Sequence, residues 1–301
     1  MPQPVWADND SVGSDHSTRR QHVRVVGFDQ AGRDPLTGLA RDVREMLFEL
    51  VHYRELLYQM TLRDLLLRYK QTVMGFGWAI FMPLVNTAVF SVIFTRVAPI
   101  KTPVPYPVYA FCGLLFWNFF ASSLRFSVAS LTGNTNLVTK VYFPREIFPF
   151  SAVFVCLIDT LVGAIVLAVV MLYYRIGVGL PLLFFPVVLI VHVAFTAALG
   201  LLLAMANLFF RDVKYLFEVV LTVWMFVSSV LYPVELLGGR LATVMRLNPM
   251  TPILDAYRSV LLLGRLPDPV SFGFVSAVSF TLLLVCWLAF HRAEFRFAEN
   301  I

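Results

Sequence analysis

Apolar residues run along this chain in six long blocks separated by short polar breaks, at about 76–95, 108–131, 147–174, 181–208, 216–233 and 270–290. A helix needs about 20 mostly apolar residues to cross the hydrocarbon of a bilayer. In lipid, each backbone N–H and C=O must be satisfied within the segment, so every block predicts a transmembrane α-helix. Ahead of the first block, Val43, Met46, Leu47, Leu50, Tyr53, Leu56, Leu57 and Met60 recur at helical spacing, and Leu62, Leu65, Leu66 and Tyr69 continue the series. Charged residues fill the rest of that surface, so residues 41–75 predict an amphipathic helix lying in the membrane interface. A helix packed on a small soluble domain is the competing reading. Residues 1–40 are polar and turn-rich and predict a disordered tail. Between the fifth and sixth blocks, residues 234–269 are too mixed to span. There Thr251 followed by Pro252 predicts a helix over about 252–263 that stops at Gly264. The predicted fold is an all-α membrane protein: an interface helix, six spans over residues 76–301, and short helices between spans five and six.

Composition strengthens this picture. Of 301 residues, 58% are hydrophobic and 14% charged, with a mean hydropathy of +0.75. An ordinary soluble domain carries about 25% charge. The net charge of +5 reflects membrane topology, because no basic stripe with interleaved aromatics marks a nucleic-acid surface. With the N-terminus placed in the cytoplasm, 16 Lys and Arg fall on the inner side and seven on the outer. The positive-inside rule therefore predicts a multi-pass protein with both termini cytoplasmic. No signal-peptide core precedes the first block, which must itself direct insertion.

Several chemistries find no residues. There is no G-x-x-x-x-G-K-[ST] loop, and none of the lysines Lys70, Lys101, Lys140 and Lys214 follows a glycine. If ATP drives this protein, the nucleotide site is on another chain. His16, His22, His52, His192 and His291 show no ligand spacing, so no metal site is expected. Cys112, Cys156 and Cys286 all lie in apolar blocks and read as small buried hydrophobes. Asp159 and Arg125 stand inside spans, where an ionised group must face protein or water. The two lie at depths differing by roughly 9 Å at 1.5 Å per residue. A direct pair requires Arg125 to extend toward Asp159, and snorkelling to the cytoplasm is the alternative.

Four blocks in order carry a family resemblance: RYKQTVMGFGWAIFMPL at 68–84, NLVTKVYFPREIFPFSAV at 136–153, NLFFRDVKYLFEVVLTVWMFVSSVLYP at 207–233, and LNPMTPILDAYRSVLL at 247–262. Over about 45–295 the chain resembles the membrane subunit of type-2 ABC exporters that move polysaccharides, the O-antigen, capsule and teichoic-acid permeases. It departs from the family in its longer N-terminal tail and in Ser229, where a proline is frequent. The resemblance implies a bacterial inner-membrane permease that performs no covalent chemistry and holds no cofactor of its own. It implies a second copy of the chain, two ATP-binding cassette subunits carrying ATP and Mg, and a lipid-linked glycan passing between the copies.

Three sets of residues become candidates. In the loop after the second span, Leu137, Val138, Val141, Tyr142 and Phe143 stand beside Lys140, Arg145 and Glu146, with Asn134 or Asn136 as cap and Pro144 as stop. A short apolar helix suits docking in a partner's groove, and the resemblance makes this the ATPase-coupling element. The competing reading is a turn that only anchors two spans. The helix after Thr251 carries Asp255, Tyr257 and Arg258; the resemblance suggests an outer gate, against a loop shielding the mouth. A sugar presents polar edges and an apolar C–H face, so its path needs aromatic plates and hydroxyl or amide groups. Asn86, Ser91, Trp117, Asn118, Ser122, Ser123, Thr222, Trp224, Ser228, Ser229 and Tyr232 offer that mixture; for any single aromatic, lipid or core packing competes. The competing functions are a drug or lipid exporter of the same superfamily, a secondary transporter, and a membrane-embedded glycan-modifying enzyme. The last two want carboxylate clusters or repeats that the sequence does not display.

Overall fold

The structure, a computed structural model, describes residues 35–70, 75, 77–140, 143–177, 179–236, 238–294 and 297. Residues 1–34 of the expected tail lie outside these, as do Val141, Tyr142 and the Lys140 side chain of the expected coupling segment. Chain contacts separate Met1–Ala40 from Arg41–Ile301.

Among the described residues all regular structure is helical. The region expected as one interface helix is two, α1 (Pro35–His52) and α2 (Arg54–Tyr69), broken at Tyr53 with φ −93° and ψ 18°. On α1, Met46 is buried and Val43 and Leu50 are half-buried, while Leu47, Phe48 and Val51 are exposed, so the helix is only partly covered by the described residues. The helix α2 instead packs along α6 (Ile147–Tyr173). Long apolar helices follow: α3 (Gly77–Val92), extended by a π turn over Ile93–Val97; α4 (Tyr106–Ser130); α6; α7 (Phe185–Phe209), entered through a 3-10 turn; and α11 (Pro269–Ala293). Five helical segments are thus long and apolar enough to cross a membrane.

The core is built round α4, which packs on α3, α6, α7 and α8 (Val213–Phe226). Phe120 sits at its centre, stacked on Phe195 with ring centroids 5.7 Å apart and edge-on to Trp224 at 5.2 Å. Asn207 on α7 donates to the Val128 carbonyl at 2.9 Å and ties the lower ends of α4 and α7 together.

The fifth span corrects the sequence reading. A helix was expected over 216–233, but α8 ends at Phe226 and covers 14 residues, about 21 Å at 1.5 Å per residue. The chain then turns through 227–232. Non-helical backbone is tolerated at membrane depth only when protein satisfies it, and here it does. Asn248 donates to the Val227 carbonyl at 3.1 Å, Arg258 to the Val230 carbonyl at 2.7 Å, and Tyr106 to the Leu231 carbonyl at 3.0 Å. The segment still runs the length of α4, because Glu218 binds Arg125 near one end of that helix and Leu231 binds Tyr106 at the other.

Beyond it come α9 (Gly239–Leu247) and α10 (Met250–Leu261). The latter starts earlier than Thr251–Pro252 suggested, because Asn248 rather than Thr251 caps it: the Asn248 side-chain oxygen accepts from the Met250 N–H at 3.1 Å. Gly264 follows at φ +60°, a left-handed position suited to ending the segment.

Candidate functional site

Along most of its length α4 is buried on every side. The exceptions in its lower half are Asn118, Ser122, Arg125, Phe126 and Ala129, with Ser130 at the end. Their spacing of four, three, one and three residues puts the first five on one helical face. This open stripe borders a hollow of about 350 Å³ between α3, α4 and α6. Trp78, Met82 and Asn86 line it from α3, Asn118 and Ser122 from α4, and Asp159 and Thr160 from α6.

Two ion pairs flank the stripe. Asp159 pairs with Arg68 of α2 and accepts a hydrogen bond of 2.6 Å from the Tyr69 hydroxyl. Burial, then the bond to Asp159, pushes the Tyr69 phenol well above its usual range, so it remains a donor. The Arg68 guanidinium also lies 4.0 Å over the Phe126 ring. Arg125 reaches both oxygens of Glu218 on α8 at 3.0 Å. The Arg125–Asp159 pairing weighed from the sequence is therefore not made; each residue has its own partner. The Arg125 and Glu218 side chains are 45% and 51% exposed. Each stands five residues inside its helix, roughly 8 Å from the end. Charges that open at that depth need water or headgroups beside them.

The remaining path candidates divide. Asn86, Asn118 and Ser122 share the hollow. Thr222 is exposed one turn beyond Glu218, its hydroxyl bonded to the Glu218 carbonyl at 3.0 Å. Ser91 is half-buried, with no hydrogen-bond partner for its hydroxyl among the described residues. Trp117 is buried, its ring 5.4 Å from that of Phe120. Trp224, Ser228, Ser229 and Tyr232 staple the end of α8. Trp224 donates to Asn248 at 2.9 Å, Ser228 accepts from Asn248 at 2.7 Å, Ser229 donates to Asp255 at 3.0 Å, and Tyr232 reaches the Phe226 carbonyl.

The three outer-gate candidates do different things. Tyr257 is fully buried, stacked on Phe116 at 3.5 Å with its hydroxyl 3.3 Å from His192 Nδ1. Arg258 lies 3.8 Å over Tyr109, donates to Asp255 at 3.2 Å and holds the Val230 carbonyl. That crossing is tight: a Cβ on Gly113 would fall 2.2 Å from the Val230 oxygen and 2.5 Å from the Arg258 guanidinium. Asp255 and Arg258 line a second hollow, of about 690 Å³, together with Lys101, Tyr109, Arg246, Thr251, Asp268 and Phe272.

In the coupling segment, α5 (Thr135–Lys140) is six residues long. Among its described side chains Thr135 and Asn136 are exposed and Leu137 half-buried, and Gly133 in the turn before it is exposed as well. Val138 and Phe143 are buried, Phe143 with its ring 5.4 Å from Phe148. The Arg145 backbone N–H donates to Glu294 at 3.0 Å, and its guanidinium reaches the Glu294 carbonyl. Glu146 accepts from Trp287 at 3.3 Å and lies 3.3 Å from His291 Nδ1. Burial, then the nearby Glu146 charge, raises the Glu294 carboxyl to about 7.

The sequence reading missed Arg68, Tyr69, Glu218 and Asn248. Glu218 carried a usable signal, an ionisable side chain two residues inside an apolar block that demands a partner. Arg68 was visible only as one charge among many on α2.

The model of the ABC-2 type transporter family matches residues 55–262. The O-antigen export system permease protein RfbA of Myxococcus xanthus is 32% identical over 255 residues, covering 84% of this chain and 98% of that protein. An RfbA of Klebsiella pneumoniae is 27% identical, covering 85% and 98%. The polysialic acid transport protein KpsM of Escherichia coli is 22% identical, covering 77% and 91%. A family match across more than half of the chain, over helices that fold as membrane spans, means that this protein belongs to the ABC-2 type transporters as a membrane permease.

Proposed function

We propose that this chain is the membrane-spanning half of an ATP-driven exporter that carries a lipid-linked polysaccharide across the bacterial inner membrane. Two copies stand side by side over two separate ATP-hydrolysing subunits, and both chain ends face the cytoplasm. The observation that carries this reading is the open stripe of α4, in which a helix otherwise sealed in the core presents amide and hydroxyl groups to a hollow at membrane depth, with Arg125 exposed one turn further on. Asn118 and Ser122 with Asn86 offer hydrogen bonds to sugar edges, and Trp78 and Phe126 offer faces to sugar C–H groups. The cargo named for the relatives, O-antigen and polysialic acid, is of the same class. Exposed apolar residues on α8, among them Leu216, Val219 and Val223, leave a surface for the second copy or lipid. The coupling contact is assigned to Thr135, Asn136 and Leu137, which are open among the described side chains of the loop.

The test is export by the permease reconstituted with its ATPase in vesicles. Asn118→Trp and Ser122→Trp fill the hollow and should abolish glycan transfer while leaving insertion and thermal midpoint near those of the parent. Full export by both variants, with cysteines at 118 and 122 closed to aqueous thiol reagents, would reject the path.

A further inference from the structure

Where α11 ends, three segments distant in sequence converge: α1, the turn before α6, and the last turn of α11. Glu49, Glu146 and His291 each offer one ligand atom, and these atoms all lie within 4.8 Å of one another. Glu146 is 2% exposed. One of its oxygens takes the Trp287 and His291 contacts; the other, Oε2, meets no donor among the described residues. Among the described residues, the neighbouring Arg145 and Arg292 are engaged elsewhere, Arg145 with Glu294 and Arg292 with Asp42 at 2.7 Å. Two carboxylates therefore face one imidazole, whose single charge when protonated offsets only one of them. An ionised carboxylate withdrawn from water needs a counter-charge.

We propose that Glu49, Glu146 and His291 bind one divalent transition-metal ion, which clamps α1 to the start of α6 and the end of α11. Two carboxylates and a neutral imidazole carry the charge that balances a dication. A nitrogen among oxygens selects zinc, manganese or cobalt over the all-oxygen cations calcium and magnesium. Bonds of about 2.0–2.2 Å bring the ligand atoms closer than they stand here, and rotation of the half-buried Glu49 side chain suffices for that. Trp287 orients Glu146 from behind, as an outer partner of a metal ligand does. The site is separate from the hollow on α4, and binding is measured on the permease alone, so it stands or falls independently of the transport reading.

The experiment uses the full chain without an oligohistidine tag, purified in detergent, stripped with chelator and titrated with Co²⁺. One Co²⁺ per chain should give a visible absorption band that Zn²⁺ removes. Glu146→Gln and His291→Gln should each weaken the affinity at least about tenfold, and Asp42→Asn should leave it unchanged. Glu49→Gln, at the rim, should show the same loss should Glu146→Gln fail to fold. Absence of a saturable band in folded protein overturns the site. So does unchanged affinity in the ligand variants, which would place the ion on other groups such as His16 and His22.

Discussion

Two carboxylates in the membrane region differ in how much their loss should matter. Asp159 is 20% exposed and holds both Arg68 and Tyr69. Asp159→Asn leaves a guanidinium unpaired against α6 and should cost about 1–3 kcal/mol, below the figure for a wholly buried pair. Glu218→Gln breaks a half-exposed pair and should cost under about 1 kcal/mol. Thermal midpoints of the two variants in one detergent should therefore rank Asp159→Asn well below Glu218→Gln; equal midpoints would deny Asp159 its role in holding α2. Gly113 gives a sharper case, because its missing Cβ is where the Val230 carbonyl and Arg258 pass. Gly113→Ala should destabilise by about 1–3 kcal/mol or more through overpacking. Gly133→Ala, with nothing within 4 Å of the added atom, is the control and should leave the midpoint unmoved. The sequence singled out Asp159 and Arg125 because an ionised side chain in an apolar block stands out in any window. Their partners stayed hidden, since Arg68 and Glu218 are 91 and 93 residues away and no spacing rule links them.

The elements were legible where lipid constrains each segment by itself. Blocks of apolar residues located α3, α4, α6, α7 and α11 within a few residues, because a span must satisfy its own backbone. That rule fails at α8. An apolar run from 216 to 233 cannot reveal that Asn248 and Arg258, on later elements, will accept the burden of the 227–232 carbonyls. Asn248→Ala removes the bonds to Trp224, Val227, Ser228 and Met250 together and should destabilise by about 2–4 kcal/mol at about 1 kcal/mol for each. A drop in thermal midpoint with altered Trp224 emission would report it; an unchanged protein would mean that the turn stands without its staple. Of the expected coupling residues, Val138, Phe143 and Glu146 are buried and Leu137 half-buried, which composition alone does not reveal. Phe143, Arg145 and Glu146 are spent on contacts with α6 and α11, leaving Thr135 and Asn136 outward. Asn136→Trp should abolish stimulation of the ATPase without loss of stability. Phe143→Ala should lower stability by about 3–5 kcal/mol, as a buried phenylalanine does. Reversed outcomes would return the docking role to Phe143.

At the scale of the whole molecule, the parity of crossings decides whether a motor can reach both the coupling loop and the interface helix. Five long helices alone would leave the chain ends on opposite faces. The short α8 and its turn have the reach for a sixth passage, since between Glu218 and Leu231 the chain travels the stretch of α4 from Arg125 to Tyr106, about 28 Å at 1.5 Å per residue. Within Arg41–Ile301, α1 meets the close of α11: Asp42 accepts from Arg292 at 2.7 Å, and Glu49 lies beside Glu146 and His291. The lysine and arginine counts predict both ends on the cytoplasmic side, because topology follows the asymmetry of short loops. A fluorescent protein that matures only in the cytoplasm should glow when fused after Ile301, and again when fused ahead of Met1. A periplasm-dependent phosphatase should be active only when inserted in the 234–238 turn. A silent C-terminal fusion beside a glowing N-terminal one would separate the ends, break the Asp42–Arg292 contact, and leave α8 as a re-entrant hairpin rather than a crossing.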